Sequence, residues 1–342
     1  VRILFGIRHD GADAYFRAIA PASVLRYQGI DAYARGVSLE DADEFDLLVL
    51  QRQCSPATEI IMRAFQEKGK AVIYDVDDWL FGIPPFWPAY SDYRVRGSGE
   101  PTDLLVMHER LLGLADAVTC TGPTLGEKLR AYNDRIYIVP NCVLWADWDV
   151  VIPLERNVDG PVIGWFGMPY YWDSWRIIAP AVEQAVFEVG GTLSILGYPE
   201  VVATLSPRLA ANTFVQLMTV WKQFNHLRRL ISTFDVGIAW LEDTPFNRCK
   251  SPLKVLQYGA AGVPVVASPM PYSEALGDEY PEQYGIVAPA PDALYRGIVK
   301  AATCREPARL RAEAWRLQVF RKHTYETQWR AWEKVIMEGA RD

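Results

Sequence analysis

The chain lacks the features that would place it in several large classes. It has five cysteines in 342 residues, at positions 54, 120, 142, 249 and 304, with no Cys-x-x-Cys pair. Isolated thiols argue against a disulfide framework or a structural zinc, and they suit a reducing compartment. No uncharged run approaches the ~18 residues that a membrane helix needs. The start, Val1-Arg2-Ile3-Leu4-Phe5-Gly6, reads as a strand entering a core and not as a signal peptide. A cytoplasmic protein without a membrane-spanning segment is therefore expected. Positive charge is not in excess: the formal net charge is −7. That total gives no general attraction to nucleic acid, although a local basic groove is compatible with it. The first strand is not followed by Gly-x-Gly-x-x-Gly, so a nicotinamide site loses its main support. Short-period repeats, low-complexity tracts, a Ser/His/Asp set and metal-ligand spacings are also missing. His226 falls in a helical pattern and reads as a surface or packing residue.

The length and a hydrophobic fraction of 50% suggest two domains with full cores. Strand-like runs alternate with helical patterns. In the first half strands are expected at 3–7, 47–50, 71–74, 117–120 and 136–139, and helices at 13–28, 57–68, 102–114 and 123–131. Residues 143–160 break the rhythm and read as a linker. The pattern then restarts, with strands at 162–166, 192–196, 235–240 and 263–267. Helices are expected at 175–189, 221–232, 251–261 and 291–302, and a long helical tail at 306–338 breaks near Lys322 to Thr324. Such alternation predicts parallel sheets covered by helices on both faces. Ligands in such sheets bind beyond the carboxyl ends of the strands.

The most informative stretch is 246–268, Phe-Asn-Arg-Cys-Lys-Ser-Pro-Leu-Lys-Val-Leu-Gln-Tyr-Gly-Ala-Ala-Gly-Val-Pro-Val-Val-Ala-Ser. A basic loop runs into a helix, a turn and a buried strand. Ser251 is placed to cap the helix and Pro252 to fill its first position. Arg248, Lys250 and Lys254, with the N–H groups at Ser251 and Leu253, would surround an anion, most plausibly a diphosphate. Leu253, Leu256 and Ala260 should pack inward, and both lysines should face solvent.

This stretch resembles the donor-binding segment of the GT-B glycosyltransferases, in particular the large retaining family (glycosyl transferases group 1, family 4-like). Members often carry Glu-x7-Glu running into Ala-x-Gly-x-Pro-Val-Val-Ala-Ser, and Ala260 to Ser268 match that ending. Both acids are replaced: Cys249 and Gln257 stand where the glutamates would be. The resemblance implies that Gln257 meets the donor ribose, as a neutral acceptor weaker than a carboxylate. Glu242 or Asp243 could stand in for the first acid if their loop folds back. Pro140-Asn141-Cys142-Val143 resembles the Pro-Asn-Gly-Val that ends the first domain in this family, and reads as structural.

Further candidates follow strands. His9-Asp10-Gly11-Ala12 follows the first, where family members bring a Gly-rich loop to donor or acceptor; a plain turn fits equally. Asp75, Asp77 and Asp78 follow the third in Tyr-Asp-Val-Asp-Asp-Trp-Leu-Phe. Carboxylates so crowded must share a proton, a cation or a substrate. Acceptor binding, metal binding and helix or turn capping are the readings, and the resemblance argues against metal. Asp77 and Asp78 fall where some relatives carry a His-Asp pair. Aromatic residues crowd 79–93 and 165–175, where sugar or base stacking competes with packing, and 82–101 has the composition of an acceptor lid. The Gly-rich Gly164 to Gly167 corresponds to a turn that faces donor phosphates in the family, with Arg176 as the nearest Arg. Gly197-Tyr198 could border the base or simply turn the chain.

The resemblance implies two Rossmann-like doubly wound domains facing across a cleft. These are an acceptor-side domain at 1–150, a nucleotide-sugar domain at 160–315, and a helix at 316–342 that returns to the first domain, with Trp315, Trp329 and Trp332 as its anchors. The expected function is sugar transfer from a nucleotide-diphosphate sugar to a hydroxyl, with retention, and with domain closure excluding water. Asp77, Asp78 and His9 are the catalytic candidates. Gly11, Gly167, Arg248, Lys250, Ser251, Leu253, Lys254 and Gln257 are the donor-binding ones. No tightly bound cofactor and no metal are expected. The acceptor could be a glycan, a small molecule, a protein or modified DNA. The alternatives are a non-catalytic sugar-nucleotide or glycan-binding protein and a sugar-nucleotide epimerase of the same fold.

Overall fold

The computed structural model describes residues 1–87, 89–155, 158–167, 171–197, 199–217, 224–272 and 284–339. It divides into two compact units. The first comprises Val1–Cys142, Arg248–Ser251 and Tyr325–Asp342; the second comprises Val143–Asn247 and Pro252–Thr324.

The first unit carries six parallel strands: β1 (Arg2–Gly6), β2 (Asp31–Arg35), β3 (Leu47–Gln51), β4 (Ala71–Val76), β5 (Ala117–Cys120) and β6 (Ile136–Ile138). Their order is β2-β1-β3-β4-β5-β6. β3 is buried at every position, as a strand covered on both faces should be. On one face, Leu48, Leu50, Val72, Tyr74 and Val118 pack with Met62 and Phe65 of the helix Pro56–Gln66. On the other, Ile3, Phe5, Val49 and Ile73 pack against Trp332, Val335 and Ile336 of the last helix, Tyr325–Gly339. The Trp332 ring meets Phe5 edge-on at 5.1 Å.

The second unit repeats the design with β7 (Val162–Gly167), β8 (Thr192–Gly197), β9 (Thr213–Leu217), β10 (Val236–Ala239), β11 (Val265–Ala267) and β12 (Ile286–Val287), in the order β12-β11-β10-β7-β8-β9. All its paired strands are parallel. Gly197, at φ +150°, is fixed by close approach: a Cβ there would lie 2.1 Å from the Gly167 carbonyl oxygen. Gly262, at φ +69°, turns the helix Leu253–Ala260 into β11, where the Val263 N–H donates to the Tyr258 carbonyl at 2.9 Å.

Three strands escaped the sequence reading, and all three are sheet-edge strands of weak pattern. β2 has polar ends and only one buried residue; β9 leaves Phe214 exposed; β12 has two residues. The helical tail is broken as expected, into Arg305–Lys322 and Tyr325–Gly339. One anchor is corrected. Trp332 packs in the first unit, but Trp315 belongs to the second: its indole N–H donates to the Val255 carbonyl at 3.2 Å, and its ring covers Gly259.

Candidate functional site

In an open doubly wound sheet, ligands collect where neighbouring strands send their crossovers to opposite sides. The two sheet orders place that reversal between β1 and β3 in the first unit and between β7 and β10 in the second.

At the second unit's reversal, β7 ends at Gly167, and β10 leads through residues 240–252 to the helix Leu253–Ala260. Gly164 to Gly167, expected as a turn, lie within β7, so only Gly167 stands at the strand end. The loop after β10 is pinned by its own polar groups. The Leu241 N–H donates to Ser268 Oγ at 3.0 Å, the Glu242 N–H to Ser174 Oγ at 3.2 Å, and Asn247 Nδ2 to the Glu242 carbonyl at 2.9 Å. Glu242 and Asp243 are exposed. Pro252 occupies the N-cap of the helix and no side chain caps it, so Ser251 does not have the expected capping role. Ser251 Oγ instead accepts from Asn141 Nδ2 at 3.1 Å, in the first unit.

The helix itself is corrected further. It has no solvent face: Lys254 through Ala260 are all buried, because Trp315 and its helix cover the side that the sequence pattern left polar. Lys254, expected in solvent, is 8% exposed. Its ammonium lies 4.1 Å from the Tyr171 ring centroid, 5.1 Å from Trp165 and 5.4 Å from Phe166. An alkyl stem through apolar surroundings and a charge against aromatic faces make that burial tolerable. Gln257, one turn on, is 4% exposed. Arg176 points to solvent from the helix Trp172–Glu188. Tyr170 and Tyr198 lie outside the described residues.

The first unit's reversal is a cluster of charges. Asp75, expected at a strand end with Asp77 and Asp78, lies inside β4 and is fully buried. Arg17 Nη2 donates to its Oδ1 at 2.6 Å, Arg17 Nε to its Oδ2 at 3.0 Å, and Thr119 Oγ1 to its Oδ1 at 2.6 Å. Arg17 also donates to the Val139 carbonyl at 2.7 Å and Asn141 Oδ1 at 2.9 Å. Burial alone would lower the Arg17 pKa, but Asp75 overrides it and the net shift is upward. Asp75 is thus a structural anchor and no ligand group.

Asp77 and Asp78 do stand beyond the strand. The residue that gathers them, Arg52, was not singled out in the sequence, although it too directly follows a strand, β3. Its Nε lies 3.4 Å from Asp77 Oδ1, its Nη1 3.7 Å from Asp78 Oδ2, and its Nη2 3.8 Å from Asp13 Oδ2. Lys250 donates to Asp78 Oδ1 at 2.7 Å, with its ammonium 4.1 Å from the Trp87 ring centroid. Lys250 was expected in solvent, and it too is largely buried. Burial pushes the Asp78 carboxyl up against the opposing pull of Lys250; burial likewise pulls Lys250 down against the pull of Asp78. His9 is exposed, 3.7 Å from Asp13, and Gly11 precedes the short helix Ala12–Ala14. Arg248 is exposed, whereas Cys249 is buried in the first unit's core. Beneath Arg52, the buried Tyr74 and His108 meet the half-buried Cys54, with the Tyr74 hydroxyl 3.2 Å from His108 Nδ1 and 3.3 Å from Cys54 Sγ. Burial, aided by the Arg52 charge, drives the His108 pKa down to about 3. Among the described residues, no group of three His, Cys, Asp or Glu side chains could hold a metal ion, and no helix is long and apolar enough to cross a membrane.

Solved structures identify the architecture. HepE of Anabaena, in complex with UDP-glucose, superposes with a TM-score of 0.70 at 11% identity, over 98% of this chain and 99% of that one. An alpha-glucosyltransferase in complex with UDP-glucose and DNA containing an abasic site gives 0.68 at 10% identity, over 98% of both chains. Sucrose-phosphate synthase of Thermosynechococcus elongatus gives 0.65 at 13% identity, over 99% of both. No family model matches the sequence, and no curated protein is a significant sequence relative. The chain therefore has the GT-B glycosyltransferase fold, established by structure at identities where sequence similarity alone is weak.

Proposed function

We propose that the protein is a glycosyltransferase that moves a sugar from a nucleotide-diphosphate sugar to an acceptor hydroxyl. The observation that carries this reading is Lys254, a nearly buried cation held by three aromatic rings in the first turn of a helix without a side-chain cap, at the sheet reversal of the second unit. That arrangement supports an anion site built from an ammonium, oriented N–H groups and the positive end of the helix dipole. UDP-glucose in the complexes of HepE and the alpha-glucosyltransferase points to a diphosphate as the anion. In the proposed reaction the bond from the sugar C1 to the diphosphate oxygen breaks, a bond from C1 to the acceptor oxygen forms, and the acceptor hydroxyl's proton passes to the departing diphosphate oxygen. Lys254 and the Leu253 N–H stabilise the charge growing on the diphosphate. Gln257 bears on the ribose, and Gly167 lets the backbone approach the phosphates. Asp77 and Asp78 receive hydrogen bonds from the acceptor hydroxyl, with His9 at the rim. Retention of configuration follows from the family resemblance and forms part of the proposal. The acceptor class is a glycan, a small molecule, a protein or modified DNA.

Cys249 favours a second reading. Buried in the core of the first unit, it offers no acid where the family's first glutamate would be, and this suits a donor-binding protein without turnover. Calorimetry against UDP, GDP, ADP, TDP and CMP, with and without Mg²⁺, followed by incubation with the matching nucleotide sugar, separates the two. Saturable binding of one diphosphate, with its release from the sugar, is the expected result. Binding without release selects the second reading, and no binding at millimolar concentration overturns both.

A further inference from the structure

We propose that Arg52 is a positioning residue of the acceptor-side site, holding Asp77 and Asp78 so that they present carboxylate oxygens to the acceptor hydroxyl. The inference rests on the glycosyl-transfer reading above.

Backbone geometry is the first observation. Among the described residues, Arg52 alone is a non-glycine with positive φ, at 30°. An L-residue there is strained by about 1–3 kcal/mol and persists only where its surroundings over-determine it. The surroundings do so: the Arg52 N–H donates to the Asp75 carbonyl at 2.9 Å, and the guanidinium faces three carboxylates. Place is the second. Arg52 is the first residue after β3, beside the β1–β3 reversal, and its partners come from the short helix after the β1 loop (Asp13) and from the β4 loop (Asp77, Asp78). It thus ties together loops from three strands at the edge where doubly wound sheets bind ligands.

The third observation is unused acceptor capacity. Asp77 Oδ1 is buried and makes no hydrogen bond. Asp78 Oδ1 is taken by Lys250, whereas its Oδ2 stands from Arg52 at ion-pair and not hydrogen-bond distance. A buried carboxylate oxygen left so is costly unless something donates to it. Arg52 supplies the charge that makes two adjacent carboxylates tolerable, without using up their lone pairs. A sugar or other alcohol hydroxyl is the donor that fits. The charged and titratable groups around Arg52 are Asp13 with His9 beside it, Arg8, Cys54, Tyr74, Asp77, Asp78, Tyr93, His108 and Lys250.

Arg52→Met and Arg52→Lys test this on the full chain. Calorimetry with UDP reports donor binding, and release of UDP from UDP-glucose to water reports turnover as a function of pH. Arg52→Met is expected to bind UDP as the parent does and to turn over at least about tenfold more slowly near pH 7. Its acid limb should move to higher pH, because loss of the guanidinium leaves the Asp78 carboxyl easier to protonate. Arg52→Lys should restore the limb and only part of the rate. An unchanged rate and limb in Arg52→Met overturns the proposal. If Arg52→Met does not fold, Arg52→Lys decides: a lowered kcat at unchanged KM supports the role, and parental kcat overturns it. If the parent binds none of UDP, GDP, ADP, TDP and CMP and hydrolyses no matching nucleotide sugar, the glycosyl-transfer reading fails on its own. Titration of ¹³C-carboxyl aspartate, with the Asp78 signal assigned by Asp78→Asn, then judges Arg52 separately. An Asp78 midpoint higher in Arg52→Met than in the parent upholds the coupling; an unmoved midpoint ends it.

Discussion

The two units accommodate a charged group at a sheet reversal with different visible surroundings. In the first, charge is met by charge: Arg17 with Asp75, Arg52 with Asp13, Asp77 and Asp78, and Lys250 with Asp78. In the second, Lys254 lies against aromatic faces at an uncapped helix start. A cation compensated by an ion pair has little electrostatic need of a ligand. A cation against ring faces gains from their quadrupoles without meeting a full opposing charge from the rings themselves. On the proposed function, anchoring and hydroxyl recognition fall to the first unit and diphosphate binding to the second.

The largest effect that would break this contrast is on stability. Arg17→Met leaves Asp75 buried without its partner and should destabilise the protein by about 3–5 kcal/mol, read as a lowered denaturant midpoint. A loss under about 1 kcal/mol would mean that the pair is dispensable and that the first unit is not organised by charge. Next comes Lys254→Ala: if the proposed phosphate site is right, it removes a charge-assisted hydrogen bond of about 1.5–3 kcal/mol and should weaken nucleotide affinity about ten- to a hundredfold. Equal affinity would move the phosphate elsewhere. Gln257→Glu sharpens the same point: donor affinity is retained or raised if the side chain meets ribose. If it does not, a buried carboxylate should lower the melting temperature without any compensation by nucleotide.

A further effect is a pH dependence. His108 is held neutral in the folded state, with its pKa lowered to about 3, and His323 of the second unit, also through burial, to about 4. Unfolded histidines take up protons below their ordinary value, about 6.5. As pH falls from there through these folded values, the unfolded state binds more protons and stability is lost. His108→Gln should flatten that loss relative to the parent, in urea melts between about pH 6.5 and pH 4. A parental slope in the variant would leave the acid sensitivity to other groups.

Much of this was legible because strand and helix periodicities are local. β1, β3, β4, β5, β7 and β8 each carry a run of apolar residues that a covered parallel strand requires, and the Gly-Val-Pro turn at 262–264 announces β11. Edge strands such as β2 and β9 are half-exposed and lose that signal. At the candidate sites, residue types after strands were visible, but partners were not. Nothing local to Arg52 says that its guanidinium meets carboxylates from two other loops, and nothing in the spacing of Lys250 and Lys254 says that both leave solvent.

The sequence by itself determined the alternation of strands and helices, the doubly wound class, and the basic segment with its Gly-Val-Pro ending, because each depends on neighbours within a few residues. Only the tertiary structure decided that Asp75 is an anchor, that Asp77 and Asp78 share Arg52, that Ser251 turns to Asn141, and that Lys254 lies among aromatic rings. Those outcomes depend on which charges burial forces together, and side chains far apart in the chain meet only once the sheets have formed.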